Sequence, residues 1–154
     1  MKKIWKLIIS ILIPFLASAI GGFFTSTSVS TWYVSLIKPS FNPPSWVFGP
    51  VWTLLYLLMG IALYLIWVEK YKNKKPAFTI FGIQMFLNAL WSVLFFGLQK
   101  SLFAFIEIVF LWAAILATII YFYRINKTSA YLLIPYILWV SFAAVLNFYL
   151  FILN

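Results

Sequence analysis

At 154 residues, 66% of them hydrophobic, 22% aromatic and only 8% charged, the chain cannot stay dispersed in water as a globular domain. Its net charge of +9 comes from 11 basic residues against two carboxylates, with no Cys and no His. That inventory excludes thiol nucleophiles, disulfides, imidazole bases and the usual zinc sites, and two separated carboxylates do not make an acid/base dyad.

A membrane-crossing helix needs about 20 mostly apolar residues. Five stretches qualify, at residues 7–24, 46–68, 77–98, 102–123 and 131–153. Backbone groups in lipid must be bonded within the segment, so the expected fold is an all-α membrane protein. It is a single domain over residues 1–154, a five-transmembrane-helix bundle with a long structured loop over 25–45 between the first two spans.

The first span follows Lys2, Lys3 and Lys6, and Ala17-Ser18-Ala19 resembles a secretory cleavage site. The apolar run continues past that point to Phe24, which favours a retained helix. Ser18 and Gly22 have a small-xxx-small spacing that predicts close approach of a neighbouring helix. In the loop, six of the seven residues 25–31 are Ser or Thr, which reads as a solvated entry strand. Trp32 and Tyr33 then open an amphipathic turn ending at Lys38-Pro39, and Pro39, Pro43 and Pro44 restrict the return path. A loop of this length and texture predicts a lid docked over a binding site.

The second span puts Trp52, Tyr56, Met59 and Leu63 on one stripe, and ends at Glu69 beside Lys70 and Lys72, a solvated interfacial pair. The third aligns Gln84, Asn88, Trp91 and Phe95. Amides buried in a membrane need partners, either another helix or a ligand. The fourth contains Glu107, which is either a functional intramembrane carboxyl or a group that pairs with or snorkels toward Lys100 on the same face. Ala113 and Ala117 of this span offer a close-packing face. The fifth aligns Pro135, Trp139, Ala143, Leu146 and Asn147, with Pro135 freeing the carbonyl four residues back. Three stripes mixing Trp with amides, under a lid, predict a small-molecule pocket.

Lys2, Lys3, Lys6, Lys70, Lys72, Lys74, Lys75, Arg124 and Lys127 fall on one membrane side if five helices alternate, leaving Lys38 and Lys100 on the other. This asymmetry predicts a cytoplasmic N-terminus, with the C-terminus and long loop outside. It accounts for the basic charge through topology and anionic lipid, without nucleic acid.

The loop WYVSLIKPSFNPPSWVFGPVWTLLYLLMG, the segment QMFLNALWSVLFFG and the segment LLIPYILWVSFAAVLN resemble the TspO/MBR family, the translocator or peripheral-type benzodiazepine receptor family. The resemblance runs from the first span to the last Asn. It implies a multi-pass protein of a bacterial cell membrane, commonly a homodimer, with a pocket beneath the first loop. It implies binding of tetrapyrroles such as protoporphyrin IX and haem, and of synthetic isoquinoline-carboxamide and benzodiazepine ligands. It further implies light-dependent oxidative breakdown of protoporphyrin IX, with Trp52 and Trp139 in the chemistry. Tyr33, Pro43, Asn88, Trp91 and Ala143 would line or border the pocket, joined by the candidates Trp32, Tyr56 and Gln84.

Two departures stand out. Phe41 occupies a position where the family often has Trp, and no Lys or Arg follows Tyr149 to complete a C-terminal cholesterol motif, which members of the human type use. Without His or Cys the usual strong haem ligands are absent, so metal-free porphyrin is expected as ligand, with no required cofactor and no metal site. Its propionates are expected at the pocket mouth near Lys38. Two other activities suit the same pocket: transport of porphyrins or similar molecules, and stress sensing through a partner.

Overall fold

The computed structural model describes all of Met1–Asn154, and every regular element in it is helical. In chain order these are α1 (Lys3–Ser28), α2 (Trp32–Ser35), a 3-10 turn (Ser45–Val47) leading into α3 (Phe48–Val68), and α4 (Lys75–Ser92), which continues as a π-type turn (Val93–Gly97). Then follow α5 (Ser101–Ile125), α6 (Lys127–Leu132) and α7 (Ile134–Leu153). Five continuous or nearly continuous rods, Lys3–Ser28, Ser45–Val68, Lys75–Gly97, Ser101–Ile125 and Lys127–Leu153, are long and apolar enough to cross a bilayer.

The rods outrun the apolar windows because polar residues at their ends remain helical. The expected entry strand at 25–31 is the clearest correction, since α1 extends through Ser28. Its hydroxyls bond back to helix carbonyls, Thr25 to Gly21 O at 2.8 Å, Ser26 to Phe23 O at 2.7 Å and Thr27 to Phe24 O at 2.6 Å. A hydroxyl satisfied this way needs no water, so the Ser/Thr run prolongs the helix. Ser28 is buried and reaches across to Phe96 O at 2.7 Å.

The fifth span is likewise not one helix bent at Pro135. It breaks at Leu133, whose N–H closes the last turn of α6 on Ala130 O at 3.1 Å. Pro135 lies in the first turn of α7, where its missing N–H has no intrahelical partner to lose, and it faces outward. Asn126 caps α6 by accepting from Ser129 N–H at 3.0 Å and donates to Glu69 Oε2 at 2.9 Å. Glu69 therefore ties α3 to α6 instead of pairing with Lys70 or Lys72.

Around the bundle, α1 packs on α3 and α4, α4 on α5, and α5 on α6 and α7. The ring closes through α6 on α3, whereas α7 stands off from α3. Gly60 marks the tightest glycine approach to a neighbouring helix backbone, since a Cβ there would lie 2.8 Å from the Ile11 backbone. The expected Ser18–Gly22 contact does not form, and Gly22 has open space where a Cβ would be. The main core, including Met59, Ile66, Ile115 and Phe122, fills the α6 end of the bundle, and a smaller cluster around Tyr33, Phe95, Ala104, Leu146 and Leu150 fills the lid end.

Candidate functional site: an aromatic cavity beneath the lid

Because α6 packs closely on α3 while the α7 backbone stands further off, the lid end of the bundle encloses a cavity of about 510 Å³. Large aromatic side chains reach across the gap, with Phe48 of α3 edge-on to Trp139 of α7 at 5.9 Å between centroids. Trp52, one turn further along α3, stacks on Tyr56 at 5.5 Å and 29°. The opposite wall comes from α1, where Ser18, Gly21, Gly22 and Thr25 are too small to fill the space.

A hydrogen-bonded chain closes the floor. Tyr56 OH donates to Asn88 Oδ1 at 2.6 Å, Asn88 Nδ2 donates to Tyr136 OH at 2.8 Å, and Tyr136 OH donates to Gln84 Oε1 at 2.8 Å. The chain joins α3, α4 and α7, and each bond contributes about 1 kcal/mol net. Higher up, Trp91 Nε1–H donates to Asn147 Oδ1 at 2.9 Å, and Asn147 Nδ2 donates to Ser101 O at 3.0 Å. Trp91 stacks on Phe95 at 4.9 Å and 13°, and Phe95 takes the edges of Trp32 and Tyr33 at 5.3 and 6.3 Å. One aromatic column thus runs from the α4 wall into the lid.

The model of the TspO/MBR family matches residues 10–153. The chain belongs to the TspO/MBR family. It is 47% identical over 152 residues to the tryptophan-rich protein TspO of Archaeoglobus fulgidus, a match covering 99% of each chain. The tryptophan-rich protein TspO of Chlorobaculum tepidum is 43% identical over 136 residues, 87% of this chain and 86% of the relative. The translocator protein of Homo sapiens is 36% identical over 140 residues, 89% of this chain and 83% of the relative. With the five apolar rods, this makes the molecule a multi-pass membrane protein.

Among the residues singled out in this TspO/MBR chain, Tyr33, Trp52, Tyr56, Asn88, Trp91, Trp139 and Ala143 line the cavity. Trp32, Pro43 and Gln84 do not. Trp32 packs behind Phe95, Pro43 accepts a hydrogen bond from Asn42 Nδ2 at 3.2 Å within the loop, and Gln84 is buried at the far end of the floor chain. Sequence reasoning missed Phe48, Phe96, Ile108, Leu111 and the α1 wall. The small and hydroxylic residues of α1 were the available signal, but Ser18 and Gly22 read as packing and Thr25 and Ser26 as a solvated strand. Ile108 and Leu111 look like any lipid-facing residue in a uniformly apolar helix.

The lid is anchored at both ends. Tyr33 OH donates to Asn42 Oδ1 at 3.1 Å, and burial pushes the Tyr33 phenol above its ordinary pKa while that hydrogen bond pulls it partly back. Phe41 packs on Tyr149 at 5.2 Å, the place where the family often has Trp. Lys38 is engaged within the lid, its ammonium donating to Leu36 O at 3.1 Å and lying 4.8 Å from the Tyr33 ring centroid. It is not among the lining residues.

Glu107 is buried at 6% exposure, and neither carboxyl oxygen has a hydrogen-bond partner. The expected pairing with Lys100 does not form, and Lys100 is exposed in the turn before α5. Glu107 does not line the cavity, although it shares a helix edge with Leu111, which does.

Proposed function

We propose that this protein binds flat tetrapyrroles, protoporphyrin IX foremost, in the cavity beneath the lid and promotes their light-dependent oxidative degradation. The observation that supports this best is that two indoles from different helices, Trp52 and Trp139, line one cavity of about 510 Å³. That volume falls within the range of about 300–1,000 Å³ typical of small-molecule sites. A flat macrocycle finds aromatic faces there to stack on. The photochemistry needs no acid or base. The macrocycle absorbs light and its excited state takes an electron from an adjacent indole; dioxygen takes that electron from the reduced macrocycle, and the indole radical cation is restored by an electron from the macrocycle, so the macrocycle is oxidised and dioxygen is the net oxidant. Synthetic isoquinoline-carboxamide and benzodiazepine ligands would occupy the same space. The absence of His and Cys favours the metal-free macrocycle over ligated haem.

The proposed setting is a bacterial cell membrane with the N-terminus cytoplasmic, supported by the lysine and arginine asymmetry. The proposed assembly is a homodimer through the outer face of α5, where Ala113 is exposed and Ala117 half-buried.

The test uses the protein in detergent micelles, titrated with protoporphyrin IX in the dark and then illuminated. Saturable Trp quenching, followed by loss of the porphyrin bands faster than in protein-free micelles, is the expected result. Quenching without faster loss removes degradation and favours sensing or transport. Absence of quenching overturns the reading.

A further inference from the structure

At the opposite end of the bundle from the lid, the start of α4 and the last turns of α5 leave a surface groove of about 380 Å³. Its frame is fixed. Phe81 and Phe122 follow the lining residues Ile80 and Tyr121 in sequence, are buried, and stack at 5.8 Å and 8°.

The groove is polar at one end and apolar at the other. Lys75, Asn73 and Thr79 line the polar end, while Ile80 and Ile83 line the rest, with the exposed Tyr121 ring on the α5 side. Asn73 Oδ1 accepts from the Lys75 N–H at 3.2 Å, which turns the amide so that its Nδ2 remains a donor. The Arg124 guanidinium lies over the Tyr121 ring, 5.6 Å from its centroid, which adds a second cation beside the groove. From Lys75 to Ile83 the groove descends eight residues, about 12 Å along the helix, from the interface into hydrocarbon.

No carboxylate meets these cations. Of the two in the chain, Glu69 accepts from Asn126 and Glu107 is buried in α5, and neither lines the groove. Lys74, by contrast, is already engaged, donating to Trp67 O at 2.8 Å and Glu69 O at 3.0 Å. An ammonium-bearing zwitterionic headgroup would bring its own cation to a site that has only cations. A phosphodiester with an uncharged headgroup matches it in sign, and a single acyl chain matches the apolar end. A free inorganic anion would leave Ile80 and Ile83 unused.

We propose that this groove is a binding site for an acidic glycerophospholipid from the leaflet on the N-terminal side. Lys75 and Arg124 meet the phosphate. Asn73, Thr79 and the Tyr121 hydroxyl serve the headgroup and ester oxygens, and one acyl chain lies on Ile80 and Ile83. In the proposed orientation this is the cytoplasmic leaflet, where acidic lipids give the surface its negative potential. The site shares no residue with the cavity beneath the lid.

The experiment uses delipidated full-length protein in neutral-detergent micelles, given equimolar dioleoyl phosphatidylglycerol and dioleoyl phosphatidylcholine. Native mass spectrometry counts the lipids bound. The first lipid bound is expected to be phosphatidylglycerol, by about tenfold over phosphatidylcholine. The double variant Lys75→Gln, Arg124→Gln is expected to reduce that preference to about twofold or less. A control, Lys2→Gln, Lys3→Gln, removes the same charge from the same membrane side and is expected to keep the preference. All four side chains are exposed, and matching melting temperatures check that the variants fold. Absence of any preference in the parent protein overturns the proposal, and that comparison needs no variant. Equal loss in the two double variants also overturns it, because the attraction is then diffuse. Displacement of the bound lipid by excess inorganic phosphate overturns the lipid as occupant.

Discussion

Asn154 grips Ile37 through both ends of its amide. The Ile37 N–H donates to Asn154 Oδ1 at 2.8 Å, and Asn154 Nδ2 donates to Ile37 O at 2.9 Å. The same Nδ2 also donates to Leu150 O at 2.9 Å, which fixes the side chain to the end of α7. The lid is thus latched, through backbone groups, to the helix that carries Trp139. Asn154→Ala removes the latch, and two exposed bonds of about 0.5–1.5 kcal/mol each correspond to ligand release faster by roughly fivefold to 150-fold. Stopped-flow dissociation should show this, together with faster amide exchange across residues 30–45. Unchanged exchange there would mean that Phe41 and Tyr33 alone hold the lid down.

Asn88 is the hub of the floor chain, and its loss strands the Tyr56 phenol and leaves Tyr136 only its bond to Gln84. Asn88→Leu leaves Tyr56 OH and Tyr136 OH without their shared partner in a buried site, at a cost of about 1–3 kcal/mol. Thermal unfolding in detergent should shift downward accordingly. Tyr56→Phe, which removes only one donor, is expected to cost less. A cycle combining the two should be strongly non-additive.

Two glycines make opposite predictions. Gly60→Ala puts a methyl group against the Ile11 backbone, which cannot turn aside as a side chain would, so α1 must shift from α3 at about 1–3 kcal/mol. Gly22→Ala meets nothing within 4 Å and should fold with wild-type stability. Its methyl group projects at the cavity wall, so Gly22→Leu is expected to fold and to lose ligand affinity. Paired melting curves and dark titrations separate the two effects.

Trp52 and Trp139 are predicted to divide binding from photochemistry. Trp52→Phe retains a ring to stack on Tyr56 and should bind protoporphyrin IX in the dark within about threefold of the parent, since one stacked contact changes by under about 1 kcal/mol. The double variant Trp52→Phe, Trp139→Phe should lose most of the light-driven decay. Decay at the parent rate from a bound porphyrin in this variant would remove the indoles from the chemistry.

Tyr33 gives the lid a pH dependence with a definite sign. Its pKa is raised above the ordinary 10.0 by burial, so the docked lid favours the neutral phenol. Its contribution is complete below about pH 10, where an exposed phenol is also neutral, and falls as pH rises through the raised value. Protection of the lid amides, measured against their intrinsic hydroxide-catalysed exchange, should therefore be flat across neutral pH and fall only in strong alkali. Tyr33→Phe should abolish that step while weakening the lid at every pH through loss of the Asn42 bond.

Composition and periodicity alone determined that this chain forms five apolar helices, and which stripes of α3, α4 and α7 turn inward. Lipid leaves the backbone one economical solution, and a stripe of Trp and amides can face only protein. The same reasoning could not tell Gln84 from Asn88. They sit one turn apart on one stripe, yet Asn88 lines the cavity and Gln84 is buried below it.

What separates them is tertiary. The depth of the cavity depends on where α7 leaves α3, and that depends on the break at Leu133 and on Asn126 holding Glu69. The α1 wall, Ile108 and Leu111 became cavity residues for the same reason, since a void belongs to the arrangement of helices and not to any one of them. The latch between Ile37 and Asn154 spans 117 residues, so no local pattern encodes it. The unpaired carboxyl oxygens of Glu107 are also visible only once their surroundings are in place, because a hydrogen bond that is missing leaves no mark on sequence periodicity.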